Sequence, residues 1–245
     1  MLIALSIGLI LLTGVLQLLL ETLRMRRRQL ALSAWSQLQR SITYWSRRDS
    51  TMPAGMSVIR SGIPLRPWLW IPRAPEHHTV HVIVPVSEWY STLTTRTRVR
   101  PGTWPILVWQ SGHDTSDTHE VFCLDLNTGM WTVVRTGRVT PRTMQVRRVL
   151  GPQPEPDTLP AGTRCIRAHR VVYRLEPNAD VPNARSLVRE RHAGRMRLAD
   201  RLYRCTVRTY DHYRDTARIW FMECVQRAGR LDLPVVLVFN NRLTP

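Results

Sequence analysis

Few residues of this sequence have types and spacing suited to chemistry. The densest group of metal-type ligands is HDTSDTHE, from His113 to Glu120, whose oxygens suit calcium and whose two histidines suit zinc. The spacing fixes neither ion, so we interpret the segment as a polar turn before a strand and predict no metal site. His77, His78 and His81 are interpreted as loop and strand-edge residues.

The common catalytic motifs are absent. The sequence has no G-x-x-x-x-G-K-[ST], G-x-G-x-x-G, G-x-S-x-G or H-E-x-x-H. All 35 basic residues are arginines, so Schiff-base and P-loop lysines are excluded. We therefore predict no enzyme, no cofactor and no small-molecule substrate.

The formal charge of +17 would attract polyanions such as nucleic acid, anionic lipid or acidic proteins. The exclusive use of arginine weakens the inference that the protein binds polyanions, because it can reflect the composition of a genome. Nucleic acid is a possible partner but not the favoured one, and its marker would be binding that falls steeply with added salt.

The cysteines are widely spaced and form no C-x-x-C pair, so neither a zinc ribbon nor a redox dithiol is indicated. Cys205 and Cys224 lie in two consecutive strand-like runs, and this pair is the preferred candidate disulfide. Other connectivities, which would involve Cys123 and Cys165, stay open. The alternative to disulfides is that all four cysteines are buried free thiols.

The strongest signal is at the N-terminus. Residues 1–20, MLIALSIGLILLTGVLQLLL, carry no charge and would span about 30 Å as a helix, the thickness of a hydrocarbon core. A secretory signal peptide is the rival, but its apolar region is usually about 7–15 residues and follows a basic segment. We predict a transmembrane segment.

The helical pattern continues through residues 21–48. Between Glu21 and Trp45 there is no proline or glycine, and one face is apolar while the other is rich in arginine. The predicted apolar face holds Leu23, Leu30, Ala34, Trp35, Leu38, Ile42 and Trp45. We expect one helix of roughly 45 residues whose second half packs on a sheet of the same chain.

The rest of the chain predicts a sheet domain. Residues 49–79 are rich in proline and are expected to form an irregular connector. Residues 80–245 contain short strand-like runs bounded by turn residues. The runs are 81–84, 106–109, 120–126, 130–135, 144–150, 165–175, 202–210, 218–225 and 233–239. The predicted fold class is α+β, a long N-terminal helix packed on a mainly antiparallel sheet.

The apolar helix resembles that of type IV pilins and type II secretion pseudopilins. The processing motif of that family, similar to G-F-T-L-I-E, is not in this sequence, so peptidase processing is not predicted. The resemblance implies that the apolar segment is both membrane anchor and helix-packing surface. Its candidate residues are Leu2, Ala4, Leu5, Gly8, Leu9, Leu12, Gly14, Val15 and Leu16.

The C-terminal third is similar to the J-type minor pseudopilins and the PilW minor pilins. The progression runs through Val171 to Leu175, Ser186 to Glu190, Tyr210-Asp211, Trp220 and Leu233 to Val236. The resemblance implies a minor pilin or pseudopilin that initiates or caps a filament, with other minor pilins and the major pilin as partners.

The same resemblance implies a single-pass inner-membrane protein whose C-terminal domain is periplasmic or part of an extracellular pilus. Arg24 to Arg28 oppose this orientation, because the positive-inside rule would hold that side of the span in the cytoplasm. An unrelated single-span protein facing the cytoplasm and a DNA-binding subunit of an uptake pilus are the alternatives.

Overall fold

The computed structural model describes residues 2–50, 68–72, 78–109, 119–191, 194–210, 219–228 and 231–240. One long helix, α1, precedes a large antiparallel sheet and a separate two-stranded sheet. The predicted α+β class is therefore confirmed.

Helix α1 (Leu2–Ser50) is continuous over 49 residues, a length of about 74 Å. Its sequence is rich in leucine and arginine, which favour helix, and no proline interrupts it. It ends at Ser50, ahead of Pro53. The prediction of one uninterrupted helix is confirmed.

Thirteen strands occur in the described ranges. They are β1 (Trp68–Trp70), β2 (Thr79–Leu93), β3 (Thr97–Arg98), β4 (Gly102–Val108), β5 (Glu120–Leu124), β6 (Trp131–Val139), β7 (Thr143–Gly151), β8 (Thr158–Leu159), β9 (Arg164–Pro177), β10 (Arg185–Arg191), β11 (Gly194–Tyr210), β12 (Ile219–Ala228) and β13 (Leu231–Asn240).

The nine predicted runs correspond to β2, β4 to β7, β9 and β11 to β13. The sequence does not predict β1, β3 and β8, which have only two or three residues each. It also misses β10, in which charged residues surround a short apolar centre. Within the predicted irregular connector, Trp68–Trp70 is a strand, and residues 51–67 and 73–77 lie outside the described residues.

Strand β9 organises the sheet because two different strands share one of its edges. Its first half, up to Ala168, pairs with β5, and its second half, from Val171, pairs with β10. Along the opposite edge it pairs with β2. The pairings β2–β4–β7–β6–β5–β9 thus return to β2 and close a six-stranded barrel, while β10 to β13 extend as an open sheet.

The open sheet packs on the second half of α1. Ile42 is fully buried there, and Trp35, Leu38 and Trp45 pack around it. The sheet side of this core comes mainly from β9 to β13 and includes Val171, Tyr173, Leu187, Leu202, Trp220, Met222, Leu237 and Phe239. This contact is the sheet surface that the amphipathic half of α1 was predicted to need.

The predicted packing face is wrong at its N-terminal end. Leu23 and Leu30 are 46% and 70% exposed, and Ala34 is exposed as well. The reason is the length of the helix. Its contact with the sheet starts at Trp35, and the residues before Trp35 extend beyond the sheet.

A second core fills the barrel. It draws on all six strands, and its members include Leu93, Trp104, Ile106, Val121, Cys123, Val134, Met144, Val146 and Cys165. The alternate residues Phe122, Val133 and Ile166 point to the opposite face of the same strands, so both faces of β5 are buried.

Strand β1 covers that opposite face. The ring of Trp68 lies 5.2 Å from that of Phe122 and 5.8 Å from that of Trp131, between ring centroids. Trp70 lies against Gly151, where a Cβ atom would come within 2.4 Å of the indole ring. Gly151 also has a φ of 121°, in a region that favours glycine.

We predict that Gly151→Ala destabilises the fold by about 2–4 kcal/mol, because it combines overpacking against Trp70 with backbone strain. Gly162→Ala is the matched control, since Gly162 has a φ of 87° but open space around it, and should cost about 1 kcal/mol. Urea unfolding in detergent measures both changes. Equal losses would show that Trp70 does not make this contact.

Candidate functional site

The first feature of the candidate site is the exposed part of α1. Its side chains are described from Gly8, and from there to Leu30 every residue is exposed. The most apolar part of α1 is not buried within the fold. In the described residues, α1 is the one helix long and apolar enough to cross a membrane, judged by length and composition.

Hydroxyl groups in this segment are satisfied by the helix itself. The Thr13 hydroxyl donates to the carbonyl of Leu9 at 2.9 Å, and that of Thr22 donates to the carbonyl of Leu18 at 2.7 Å. A hydroxyl bonded in this way carries a smaller desolvation cost in an apolar environment. The segment therefore suits lipid or neighbouring apolar helices.

The structure places the candidate anchor residues on this one helix. Gly8, Leu9, Leu12, Gly14, Val15 and Leu16 are exposed, and there is open space around Gly8 and Gly14. Leu2, Ala4 and Leu5 belong to α1, but their side chains lie outside the described residues. Around the helix, all of these exposed candidates except Gly14 lie within an arc of about 120°, and Gly14 lies outside that arc.

The second feature is the contact of α1 with the edge strand β13. The Gln39 side chain donates to the carbonyl of Val236 at 2.8 Å and accepts from its N–H at 3.4 Å. The Trp35 indole donates to the carbonyl of Pro234 at 2.7 Å. These side chains satisfy outward-facing backbone groups that an open sheet edge would leave unpaired.

The third feature is a buried ion pair at the C-terminal end of α1. The Arg189 guanidinium donates to both oxygens of Asp49, at 2.7 and 2.8 Å. The Tyr173 hydroxyl donates to the same carboxylate at 2.5 Å. Arg189 also lies over the Trp45 ring, 4.5 Å from its centroid. Four residues from α1, β9 and β10 thus form one network.

Burial and hydrogen bonding change the proton affinities in this network. Burial, followed by the hydrogen bond to Asp49, raises the pKa of Tyr173 well above its usual range. The hydrogen bond to Asp49 is the main cause that raises the pKa of Arg189, against the opposing effect of burial. Tyr173 therefore stays neutral and Arg189 stays charged at physiological pH.

Sequence reasoning missed this network. Asp49 follows Trp35, Leu38, Ile42 and Trp45 at helical spacing, so it extends the predicted packing face. A carboxylate is also unfavourable at a helix C-terminus, which implies a nearby cation. These signals identify Asp49 as a residue that needs a partner. They do not select Arg189 from the 35 basic residues.

A second ionic cluster lies where β5 and β10 meet along β9. One Glu120 oxygen accepts from Arg135 at 3.1 Å and from Arg170 at 3.3 Å, and the other accepts from the backbone N–H of Arg170 at 3.0 Å. Arg170 in turn lies 3.2 Å from the Nδ1 of His81. Glu120, which the sequence offered as a metal-type ligand, is here the counterion of two arginines.

His81 is buried between this cluster and β1. Its ring centroid lies 4.2 Å from that of Trp70. Burial, followed by the positive charges of Arg170 and Arg174, lowers the pKa of His81 to about 3. His81 is therefore neutral at physiological pH and accepts a hydrogen bond from Arg170.

No group of three or more His, Cys, Asp or Glu residues that could hold a metal is found in the described part of the chain. His113, Asp114 and Asp117 lie outside that part. His119 precedes β5, and Glu120 begins it.

Two disulfides join neighbouring antiparallel strands. Cys205 of β11 bonds to Cys224 of β12, which is the pair preferred from the sequence. Cys123 of β5 bonds to its register partner Cys165 of β9 inside the barrel core. Alternation along β11 is as predicted, since Cys205 and Val207 pack on the core while Arg204 and Arg208 are exposed.

Comparisons with protein-family models, with curated proteins and with solved structures find no match to this chain.

We predict that Asp49→Ala destabilises the fold by about 3–5 kcal/mol, because it leaves Arg189 charged, buried and without its partner. Asp157→Ala is the matched control, since it removes an ion pair with Arg98 whose side chains are 63% and 61% exposed. The control should cost less than about 1 kcal/mol. Chemical unfolding in detergent compares the two variants, and similar losses would contradict the role of the buried pair.

We also predict a pH dependence from His81. The pKa of His81 is lowered from 6.5 to about 3 in the fold. Between these two pH values, His81 is protonated in the unfolded chain and neutral in the folded chain. This contribution to stability is full above about pH 6.5 and is lost as the pH falls, by about 2 kcal/mol at pH 5.

The measurement is the free energy of unfolding at pH 7.5 and at pH 5 for the wild type and for His81→Gln, which retains a hydrogen-bond acceptor. The variant should lose about 2 kcal/mol less than the wild type over this interval. The same loss in both proteins would show that His81 is not a buried neutral group.

Proposed function

We propose that this protein is a structural subunit of the minor pilin or pseudopilin kind, which helps initiate or cap a type IV pilus or a type II secretion pseudopilus. The observation that carries the proposal is α1. A single helix runs without a break from an exposed apolar segment into a segment fixed on a sheet by Ile42 and Asp49. This arrangement joins helix α1, the rod, whose N-terminal half lies in the membrane, rigidly to the folded sheet domain, the head.

In the proposed mechanism, residues 2–20 move from lipid into a bundle of sister helices. Apolar side chains of neighbouring subunits then replace acyl chains around the exposed leucines of α1. The open space at Gly8 and Gly14 allows close helix approach there. Partners are other minor pilins and the major pilin, and the sheet domain provides the contacts that select among them.

The disulfides support an exported head. Cys123–Cys165 and Cys205–Cys224 are of the kind that persists in an oxidising compartment such as the periplasm. We therefore place the chain in the inner membrane with a single span and its C-terminal domain in the periplasm or in an extracellular pilus. This evidence weighs against the cytoplasm-facing orientation that Arg24 to Arg28 favour.

The contact between helix and sheet supports a function in which the rod and the head move as one body. It gives less support to a function in which α1 only anchors the domain. A flexible linker would serve an anchor that only retains a domain at a membrane. Here the carboxylate of Asp49, the amide of Gln39 and the indole of Trp35 fix the head to the rod at three levels. Such rigidity suits a subunit whose head must take a defined position relative to a filament axis.

DNA binding in an uptake pilus is the second candidate, favoured by the charge of +17 and the exposed arginines of β11. Several of these arginines already have counterions in the fold. Arg195 pairs with Glu176, and Arg197 lies 3.0 Å from Asp200. Because these pairs lower the charge available for phosphates, the structural role is the better supported one.

We predict that Gly14→Leu abolishes assembly without unfolding the protein. No atom lies within 4 Å of a Cβ at Gly14, so the isolated subunit accommodates leucine, whereas a close helix bundle does not. In a strain that lacks the gene, the wild type should restore filaments or secretion, and Gly14→Leu should lower them by at least about tenfold, because close helix approach needs a small residue there.

The matched control is Thr13→Leu, which adds bulk one position away and about 100° around the helix. It should restore function, and both variants should be recovered from membranes with their disulfides formed. If the strain without the gene keeps normal filaments and normal secretion, the proposed function is wrong. A fully functional Gly14→Leu would exclude close helix packing at this position.

A further inference from the structure

Four arginines follow directly after the apolar segment of α1. Arg24, Arg26, Arg27 and Arg28 are all exposed. At about 100° per residue they lie near 0°, 200°, 300° and 40° around the helix axis, so the charges occupy the arc from about 200° through 0° to 40° and the remaining side carries none of the four. We call these four residues the arginine collar.

The depth of the collar matches that of a lipid headgroup layer. With Leu20 at the edge of the hydrocarbon core, the Cα atoms of the collar lie about 6–12 Å further along the helix. The headgroup layer on each side of a bilayer is about 5–8 Å thick. Helical side chains also tilt toward the N-terminus, which brings the guanidinium groups back toward the membrane surface.

The described residues provide no counterion for the collar. The sheet contacts α1 from Trp35 onward, about 10 Å beyond Arg28. Glu21 is the one acidic residue among the first 48, against seven arginines. In the part of the chain that the structure describes, none of the four collar guanidinium groups forms an ion pair. The charge is therefore available to an external partner.

We propose that the arginine collar binds the phosphate groups of anionic phospholipids and thereby fixes the depth at which α1 sits in the membrane. A guanidinium recognises phosphate oxygens through paired hydrogen bonds, which favours this chemistry over simple attraction. This inference depends on the proposed function only through membrane insertion of α1.

The collar has a consequence for assembly. Each arginine near an anionic surface favours membrane association about fivefold, the equivalent of about 1 kcal/mol. Movement of the subunit out of the bilayer breaks these contacts together with the lipid contacts of the apolar segment. The collar therefore retains unassembled subunits in the membrane until helix contacts with other subunits replace both.

The experiment is a competition between two vesicle populations. Full-length protein in detergent is mixed with equal amounts of neutral phosphatidylcholine vesicles and vesicles that also contain phosphatidylglycerol. The detergent is then removed, the vesicles are separated, and the protein in each is measured. We expect the wild type to prefer anionic vesicles by at least about tenfold at low salt and to lose this preference at high salt.

Two variants of equal charge separate the collar from the general basicity of the chain. The collar variant is Arg24→Gln, Arg26→Gln, Arg27→Gln and Arg28→Gln. The control variant is Arg100→Gln, Arg142→Gln, Arg148→Gln and Arg208→Gln, at exposed positions of the sheet domain. The collar variant should lose at least about tenfold in preference, and the control should lose less than about threefold.

The outcomes distinguish the two proposals. Insertion of the wild type without preference for anionic vesicles, or equal losses in the two variants, overturns the collar and leaves the membrane anchor intact. Failure of the wild type to enter either population overturns membrane insertion, on which both the collar and the proposed function depend. Preference that disappears in the collar variant alone supports the inference.

Discussion

The buried pair of Asp49 and Arg189 fixes the relation between the two parts of this molecule. Helix α1 extends far beyond the sheet, so any rotation at their contact would swing its free end through a wide arc. A bidentate ion pair at 2.7 and 2.8 Å, with the Tyr173 hydroxyl on the same carboxylate, strongly favours one orientation. Apolar contacts such as that of Ile42 supply burial but are less directional.

The second constraint is the length of β9. Because this strand pairs with β5 along its first half and with β10 along its second, it belongs to the barrel and to the open sheet at once. Glu120 occupies the point where the partner changes and neutralises Arg135 and Arg170 there. The barrel and the helix-bearing sheet therefore share a backbone element, and no hinge in the described residues separates them.

The two halves of α1 illustrate how a sequence pattern and its environment differ. Both halves are helical, yet packing against the core of the sheet begins only at Trp35. The N-terminal half exposes an apolar surface that a soluble monomer would have no reason to keep. Gln39 and Trp35 meanwhile protect the edge of β13. The same helix therefore covers an unpaired sheet edge with its C-terminal half and exposes an apolar surface with its N-terminal half.

Local patterns alone determined much of this protein. The uninterrupted apolar run predicted α1, short strand-like runs between turn residues predicted most of the strands, and the positions of Cys205 and Cys224 in two consecutive runs suggested their pairing. These features depend on neighbours along the chain. The tertiary structure decided what depends on distant neighbours: the closure of the barrel through β2 and β9, the choice of Arg189 for Asp49 across 140 positions, and the residue at which α1 leaves the sheet. With 35 arginines of similar local context, only the packing of α1 against β9 and β10 could single out that partner.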